Sequence, residues 1–383
     1  MRELFLRNKI IELVNFRFNV FKATVDTAIT QIAKDKHNSE IKIMEIKDEE
    51  SFHNFLKFEN RVNLKLDFIK KIPENLFRIE VTEKDISIID RIQSKSTEFS
   101  KICYINYGCR LVSKNGNKKK SDFIFEKNPT GSFKKFIEGS DIRKYKILSY
   151  RYVDYLPGEH YLSLFPELFE SNKLVSKDIV GKDGISVAFD SAGYYDDHTT
   201  INAVRWFDLK NVNYSGVKRE LTKEKIINSQ KYSYLELLGI INSELSNYYF
   251  SKLFNIDLHF YPGTFQKMIV PLNTEKRIGI LVDYIIFQKS LPTDKKSFFF
   301  EQLIDGMVYE LYFQNEIKQA GCDILKYLDD LPEIKDEMPD EEKLKIITIV
   351  FNKLYDAASP VRKHLEAMKE VEEVKIIEKS LEK

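Results

Sequence analysis

The sequence predicts an α+β fold. Three observations carry that prediction. Short alternating or apolar runs near the N-terminus read as strands, the middle of the chain is a series of short β-type runs broken by turn residues, and the last hundred residues carry apolar side chains at helical spacing. In chain order, residues 1–47 hold apolar strands at 10–16 and 27–33 and a strictly alternating one at 41–46, after one short amphipathic helix. Three such strands cannot bury both faces of a sheet, so this part is expected to need a partner surface or a missing N-terminal half. Residues 48–98 are polar and helical in tendency, with Phe52, Phe55, Leu56 and Phe58 as apolar anchors, and form a connector. From 99 to 272 the runs 173–177, 185–190 and 203–207 read as strands. Turn chemistry falls at Pro157-Gly158, Gly181-Lys-Asp-Gly184 and Pro262-Gly263. One helix, 234–253, interrupts them, with Leu235, Leu238, Ile241, Leu245 and Tyr248 on one face. Helices follow at 298–313, 315–331, 341–358 and 361–381, the last started by Pro360 in a favourable first-turn position. The expected domains are 1–47, 48–98, 99–290 and 291–383.

A chain of 383 residues, 43% hydrophobic and 31% charged, has the material for several packed cores and is not a disordered polymer. No apolar run reaches the length a membrane helix requires. The first ten residues hold no apolar signal core, so a cytoplasmic location is expected. Cys103, Cys109 and Cys322 are odd in number and lack metal-ligand spacing, as a reducing compartment allows.

Charge is unevenly distributed. Residues 101–151 carry thirteen Lys or Arg against four Asp or Glu, whereas the whole chain has a net charge of +1. The same segment holds Tyr104, Tyr107, Phe123, Phe125, Phe133, Phe136, Tyr145 and Tyr150. Clustered cations interleaved with aromatics are the footprint of a nucleic-acid contact, because a phosphate backbone rewards clustered positive charge by counterion release. From residue 321 onward sixteen acids face eleven bases, so the tail is a packing or protein-contact element.

Several enzymatic signals are absent or incomplete. Asn128-Pro129-Thr130 lacks the second proline and the aromatic of an adenine-gripping Asn-Pro-Pro-aromatic loop. Asp340, Glu341 and Glu342 are consecutive, where a nuclease metal site needs acids converging from separate strands. No Gly-x-Gly-x-x-Gly turn occurs to cradle a nucleotide or S-adenosylmethionine. The run Gly193-Tyr-Tyr-Asp-Asp-His-Thr-Thr200 pairs Asp197 with His198, yet nothing nearby supplies a positioned nucleophile or oxyanion donors. A structural loop is the better reading of it. No catalytic residue, metal ligand or cofactor-binding residue is therefore assigned in this chain.

Six segments in order carry a resemblance: Ile105-Asn-Tyr-Gly-Cys-Arg110, Phe133-Lys-Lys-Phe-Ile-Glu-Gly-Ser-Asp-Ile-Arg-Lys-Tyr145, Leu168-Phe-Glu-Ser-Asn-Lys-Leu174, the run 193–200, Leu237-Leu-Gly-Ile-Ile-Asn-Ser-Glu-Leu-Ser-Asn-Tyr248, and Pro262-Gly-Thr-Phe265. Together they resemble the TaqI-like C-terminal specificity domain of adenine-N6 DNA methyltransferases and of Eco57I-like, type IIG restriction–modification proteins. Val20-Phe-Lys-Ala-Thr-Val-Asp-Thr27 resembles the last strands of that family's methyltransferase domain. Asp305-Gly-Met-Val-Tyr-Glu-Leu-Tyr312 resembles the helical region after the specificity domain. The resemblance implies a β-rich target-recognition domain flanked by a remnant of an α/β methyltransferase sheet and a helical domain. The S-adenosylmethionine and adenine-binding residues would then lie upstream of Met1.

What the resemblance implies is sequence-specific recognition of double-stranded DNA for a site-specific adenine-N6 methyltransferase, in restriction–modification or phage defence. Phosphate contacts would set the register and a few side chains would read base edges. Lys118, Lys119 and Lys120, following the turn Asn115-Gly116-Asn117, are the first candidates for phosphate contacts, joined by Lys114. Arg110, Arg143 and Lys144 sit beside apolar residues that could hold them for base reading. Lys177 and His198 complete the expected contact set. An alternative makes the chain an assembly subunit that docks onto a separate methyltransferase or nuclease chain.

Overall fold

The computed structural model describes residues 5–16, 18–22, 27–35, 40–46, 48–53, 62–70, 72, 81–181, 184–254, 259–293 and 295–382. The fold is α+β, divided into two compact units.

The first unit, residues 1–90 with 252–254, is built on a sheet of β1 (Lys9–Phe16), β2 (Thr27–Ala33), β3 (Glu40–Ile46) and β4 (Val62–Lys65), in the order β2-β1-β3-β4. β1 runs parallel to β3, and the other neighbours are antiparallel. Alternation sends Val14, Phe16, Met44 and Ile46 into one cluster, against which Phe18 and Val20 pack. The three strands expected from 1–47 form where their patterns place them. The helical expectation for 48–98 gives way at residues 62–65, which pair with β3. Lateral pairing next to an apolar strand outweighs a weak helical propensity. Phe52 packs edge-on against Phe16 at 5.8 Å. Phe55, Leu56 and Phe58 lie outside the described residues.

The second unit, residues 91–251 with 255–383, holds two four-stranded sheets and the C-terminal helices. The first sheet joins β5 (Cys103–Tyr107), β9 (Lys173–Lys177), β10 (Val187–Asp190) and β12 (Thr200–Arg205), antiparallel throughout, in the order β10-β9-β12-β5. The second joins β6 (Ile124–Phe125), β7 (Lys134–Ile137), β8 (Arg151–Val153) and β11 (Tyr195–Asp196), in the order β11-β7-β8-β6. One hydrophobic cluster spans both sheets. Phe136, Val153 and Tyr195 from the second meet Tyr104 and Val204 from the first and Trp206 just after β12, in one cluster with Phe165 and Phe169. Phe169 stacks on Tyr195 at 4.6 Å, and the Trp206 indole donates to the Ser100 carbonyl at 2.8 Å.

Helix α1 (Tyr234–Asn242) packs on the first sheet. Asn242 both accepts from the Val187 N–H and donates to its carbonyl, each at 3.0 Å, so its amide stands in for a further strand at the β10 edge. The single helix expected over 234–253 is broken at Ser243. Its backbone is extended there, and its hydroxyl accepts the Ser246 N–H to start α2 (Glu244–Leu253). Pro262-Gly263, read as a turn, instead opens α3 (Pro262–Lys267), with proline at the first position where no N–H is needed.

Further helices are α4 (Lys276–Ser290), α5 (Ser297–Tyr312), α6 (Asp340–Tyr355), α7 (Pro360–Met368) and α8 (Glu372–Leu381). Residues 315–331 do not form one helix. Gly321, at φ +67°, ends it: the Gly321 N–H donates to the Lys318 carbonyl and the Cys322 N–H to that of Ile317. Pro360 does start a helix, but Val371 is extended and separates α7 from α8. Cys103, Cys109 and Cys322 are all free and buried. No described helix is long and apolar enough to cross a membrane.

Candidate nucleic-acid interface

The run 193–200 joins the two sheets, and buried polar groups hold it. Lys173 on β9 is fully buried and forms an ion pair with Asp190, while also donating to the carbonyls of Phe169 at 2.5 Å and Tyr194 at 2.9 Å. Asp190 in turn accepts the N–H groups of Ala192, Gly193 and Tyr194 at 2.8, 3.0 and 2.9 Å. Gly193 takes φ +70°, a conformation that side-chain-bearing residues rarely adopt. The chain is thereby turned so that Tyr195 and Asp196 add a parallel strand beside β7.

Asp196 is buried next. Its Oδ1 accepts the Thr200 hydroxyl and the Asn202 amide, both at 2.7 Å, while Oδ2 has no hydrogen-bond partner. Gly108 makes room for it, because a Cβ there would stand 2.1 Å from Asp196 Oδ1 and 2.4 Å from the Asp197 carbonyl oxygen. Burial raises the Asp196 carboxyl to about 7, against opposing effects from the Lys173 charge and the Thr200 and Asn202 hydrogen bonds. The linkage follows from that direction. Between about pH 4 and pH 7 the folded protein holds a proton that the unfolded chain has released, so stability falls as pH rises through that window. Asp196→Asn is expected to remove this slope, worth up to about 4 kcal/mol between the two limits. Denaturation midpoints at pH 5 and pH 8 test it, and a variant that keeps the wild-type slope would assign the titration elsewhere.

Asp197 is buried too, but it points to the basic segment. Its Oδ1 accepts the Thr199 N–H and hydroxyl at 3.0 and 2.6 Å, and Lys120 forms ion pairs with both Asp197 and Glu138. Arg151 joins Glu138 from β8. His198 projects from this loop, 62% exposed, its Nδ1 3.9 Å from Asp197. The Asp–His adjacency thus belongs to a loop anchor. No group of His, Cys, Asp and Glu able to hold a metal ion occurs among the described residues. Asn128 closes a turn onto the Phe133 backbone, and Asp340, Glu341 and Glu342 occupy the first turn of α6.

Burial sorts the basic segment. Of its thirteen cations, Lys101, Arg110, Lys114, Lys118, Lys119, Lys127, Lys134, Lys135 and Arg143 are exposed. Lys120, Lys144, Lys146 and Arg151 are half-buried, and the inward Glu138 serves two of them. Among the exposed ones, Lys118 meets Glu159 at 3.4 Å and Lys134 meets Glu170 at 2.8 Å, exposed pairs worth under about 1 kcal/mol that a phosphate could displace.

Pairing in the second sheet puts Lys135, Tyr152 and Phe125 in one cross-strand row. That row faces outward, since the flanking Phe136 and Val153 are fully buried. Tyr150 and Tyr194 extend it. Tyr150 lies 5.7 Å from Tyr152 and 5.6 Å from Tyr194, and the Lys135 ammonium stands over both the Tyr150 and Tyr194 rings, at 5.2 and 5.9 Å. Phe125 leans on Phe133 at 4.9 Å.

The expected contact residues distribute unevenly around this face. Lys114 lies in the 113–118 turn, where Gly116 adopts φ +74°, and Lys118 and Lys119 follow it, exposed. Lys120 is drawn inward by Asp197 and is not on the turn tip. Arg110 is exposed and stacks on Tyr161 at 5.2 Å. Arg143 is exposed but donates to the Ser140 and Ile142 carbonyls at 3.0 and 2.8 Å. Lys144 faces Asp305 and lines a small recess with Glu301 and Glu244. Lys177 is half-buried at the end of β9, its ammonium near Gly181. Lys135 and Tyr152 were not singled out from sequence. Lys-Lys-Phe-Ile at 134–137 runs from two exposed lysines to two buried apolar residues and does not alternate, and only its pairing with β8 brings Tyr152 beside Lys135.

No protein-family model matches the chain, and no curated protein matches it. Among solved structures, it is similar to the type IIL restriction–modification enzyme MmeI, determined in complex with DNA, with a TM-score of 0.42 and 12% identity over 91% of this chain and 46% of MmeI. It is also similar to the type IIG restriction endonuclease BpuSI, with a TM-score of 0.33 and 11% identity over 82% of this chain and 45% of that one. The chain spans less than half the length of either enzyme. At these values the likeness is distant, and the functional reading rests on the residues of this chain.

Proposed function

We propose that this chain recognises double-stranded DNA at a short specific site, supplying specificity to an adenine-N6 methyltransferase in restriction–modification or phage defence. The observation that carries the reading is the sorting of the basic segment: nine of its thirteen cations stay exposed, and one of them, Lys135, lies within an outward aromatic row. Exposed cations displace counterions from the phosphates, whereas rigidly held side chains at the rim can reach base edges. The six-segment resemblance supports the methyltransferase assignment. Lys114, Lys118, Lys119, Arg110, Arg143 and His198 are exposed and remain the proposed contacts, with Lys135 added. Lys120, Lys144 and Lys177 act in holding the surface.

The test is retention of a random duplex pool by the purified chain at two salt concentrations, with sequencing of the retained DNA. One enriched motif containing adenine is the expected result. Retention without a motif would leave only electrostatic binding, and no retention would sink the proposal. A second reading, docking of a separate catalytic chain, is favoured by apolar exposure in the first unit, where Ile29 is 51% and Phe21 62% exposed. Co-purification with such a chain, lost in Ile29→Glu, would support it.

A further inference from the structure

Strand pairing in the second sheet lines up one row across all four strands. Tyr194, just before β11, is followed by Lys135, Tyr152 and Phe125, in the order in which β11, β7, β8 and β6 pair. Neighbouring strands lie about 4.8 Å apart, so the row spans about 14 Å. Tyr150 and Phe133 stand beside it, Tyr150 at 5.6 Å from Tyr194 and Phe133 at 4.9 Å from Phe125. These rings are not a core. Tyr150 is 42% and Phe125 37% exposed, whereas Phe136, Val153 and Tyr195 on the opposite face are buried. The four strands carry one acid, Asp196, and it is buried too. Glu126, beside Phe125, is exposed, but the exposed Lys127 follows it. Lys135 stands over the Tyr150 and Tyr194 rings and forms no ion pair among the described residues, so its charge is available to an anion.

We propose that this row binds single-stranded DNA, stacking unpaired bases on its rings while Lys135 and Lys127 meet the phosphates. The proposal rests on reading residues 101–151 as a nucleic-acid contact, and it adds the form of DNA that the aromatic face takes. An intact duplex keeps the faces of its bases stacked on one another and offers only edges, sugars and phosphates. A row of rings gains little from those. An unpaired base presents its π-face, and stacking on an aromatic side chain is favourable for every base. At about 3.4 Å per stacked base, the row has the length of about four. A protein partner would cover the same rings, but it would also take the charges of Lys127 and Lys135 out of water. Phosphates supply the opposite charge that those lysines lack.

Fluorescence anisotropy of the full chain with a short labelled oligothymidylate, set beside a duplex of the same length and salt, tests the proposal. Saturable single-strand binding below about 10 μM at low salt is expected. Phe125→Ala with Tyr150→Ala is expected to weaken it at least about tenfold, and duplex binding by no more than about threefold. Both rings are exposed, so the thermal melt should not move. A second readout needs no variant: a 2-aminopurine base placed in the oligonucleotide should lose fluorescence as it stacks on the wild-type chain. No saturable single-strand binding, no quenching, or an equal loss of both DNA forms in the double variant would overturn the proposal. Tighter binding of an oligouridylate of the same length would also overturn it. Duplex binding without single-strand binding removes this inference alone. The reverse removes the duplex reading alone, and binding of neither removes both.

Discussion

Asp190→Ala is expected to destabilise the second unit by about 3–5 kcal/mol, the cost of leaving a buried charge without its partner. In the substituted chain Lys173 keeps only the carbonyls of Phe169 and Tyr194, and the N–H groups of Ala192, Gly193 and Tyr194 lose their acceptor. The converse change should cost less. In Lys173→Met, Asp190 still accepts three backbone N–H groups, which support an anion by themselves. The order Asp190→Ala, then Lys173→Met, then wild type is therefore predicted for denaturant midpoints. A cost for Asp190→Ala below about 1 kcal/mol would show that the pair does not hold the turn. The consequence reaches the candidate interface, because the turn at Gly193 delivers Tyr194 to the outward aromatic row and Asp197 to Lys120.

Replacing Lys114, Lys119 and Lys135 together by alanine is expected to weaken duplex binding about a hundredfold near physiological salt. It should flatten the dependence of log affinity on log salt by about 3, at about 0.9 per phosphate contact. All three are exposed and none takes part in a described ion pair, so the fold should be unaffected. Lys120→Ala is the contrasting control. It uncovers Asp197, which is fully buried, and is expected to lower stability rather than the salt slope. Fluorescence anisotropy across a salt series, together with a thermal melt of each variant, separates the two outcomes. A triple variant with an unchanged slope would remove these lysines from the interface.

The legible and illegible parts divide along physical lines. Residues 27–33 and 173–177 are strands at the bounds their patterns mark, with Thr27, Ile29, Thr30 and Ile32 favouring the first and Leu174 and Val175 at the centre of the second. Pro360 starts a helix for the reason read from sequence: it lacks the N–H that a first turn would leave unpaired. The helix break at Ser243 was invisible because Leu238, Ile241 and Leu245 keep helical spacing across it. What breaks the helix is a serine able to cap the next one, and capping competes with propagation by only about 1 kcal/mol. Residues 62–65 became a strand only because β3 offered an unpaired edge.

The same division governs the candidate interface. Charge density is a sum over residues, so the chain's composition determines by itself that residues 101–151 are strongly cationic. Which cations face solvent depends on where acids from distant segments fall. Glu138 and Asp197 draw in Lys120, and Asp305 lies beside Lys144, with 77 and more than 150 residues of chain separating each far partner from its lysine. The outward row of Lys135, Tyr152 and Phe125 likewise exists only through strand pairing. Local pattern and net charge are additive along the chain and can be read from it. Facing, pairing and burial arise from contacts between residues far apart in sequence, and only the tertiary structure decides them.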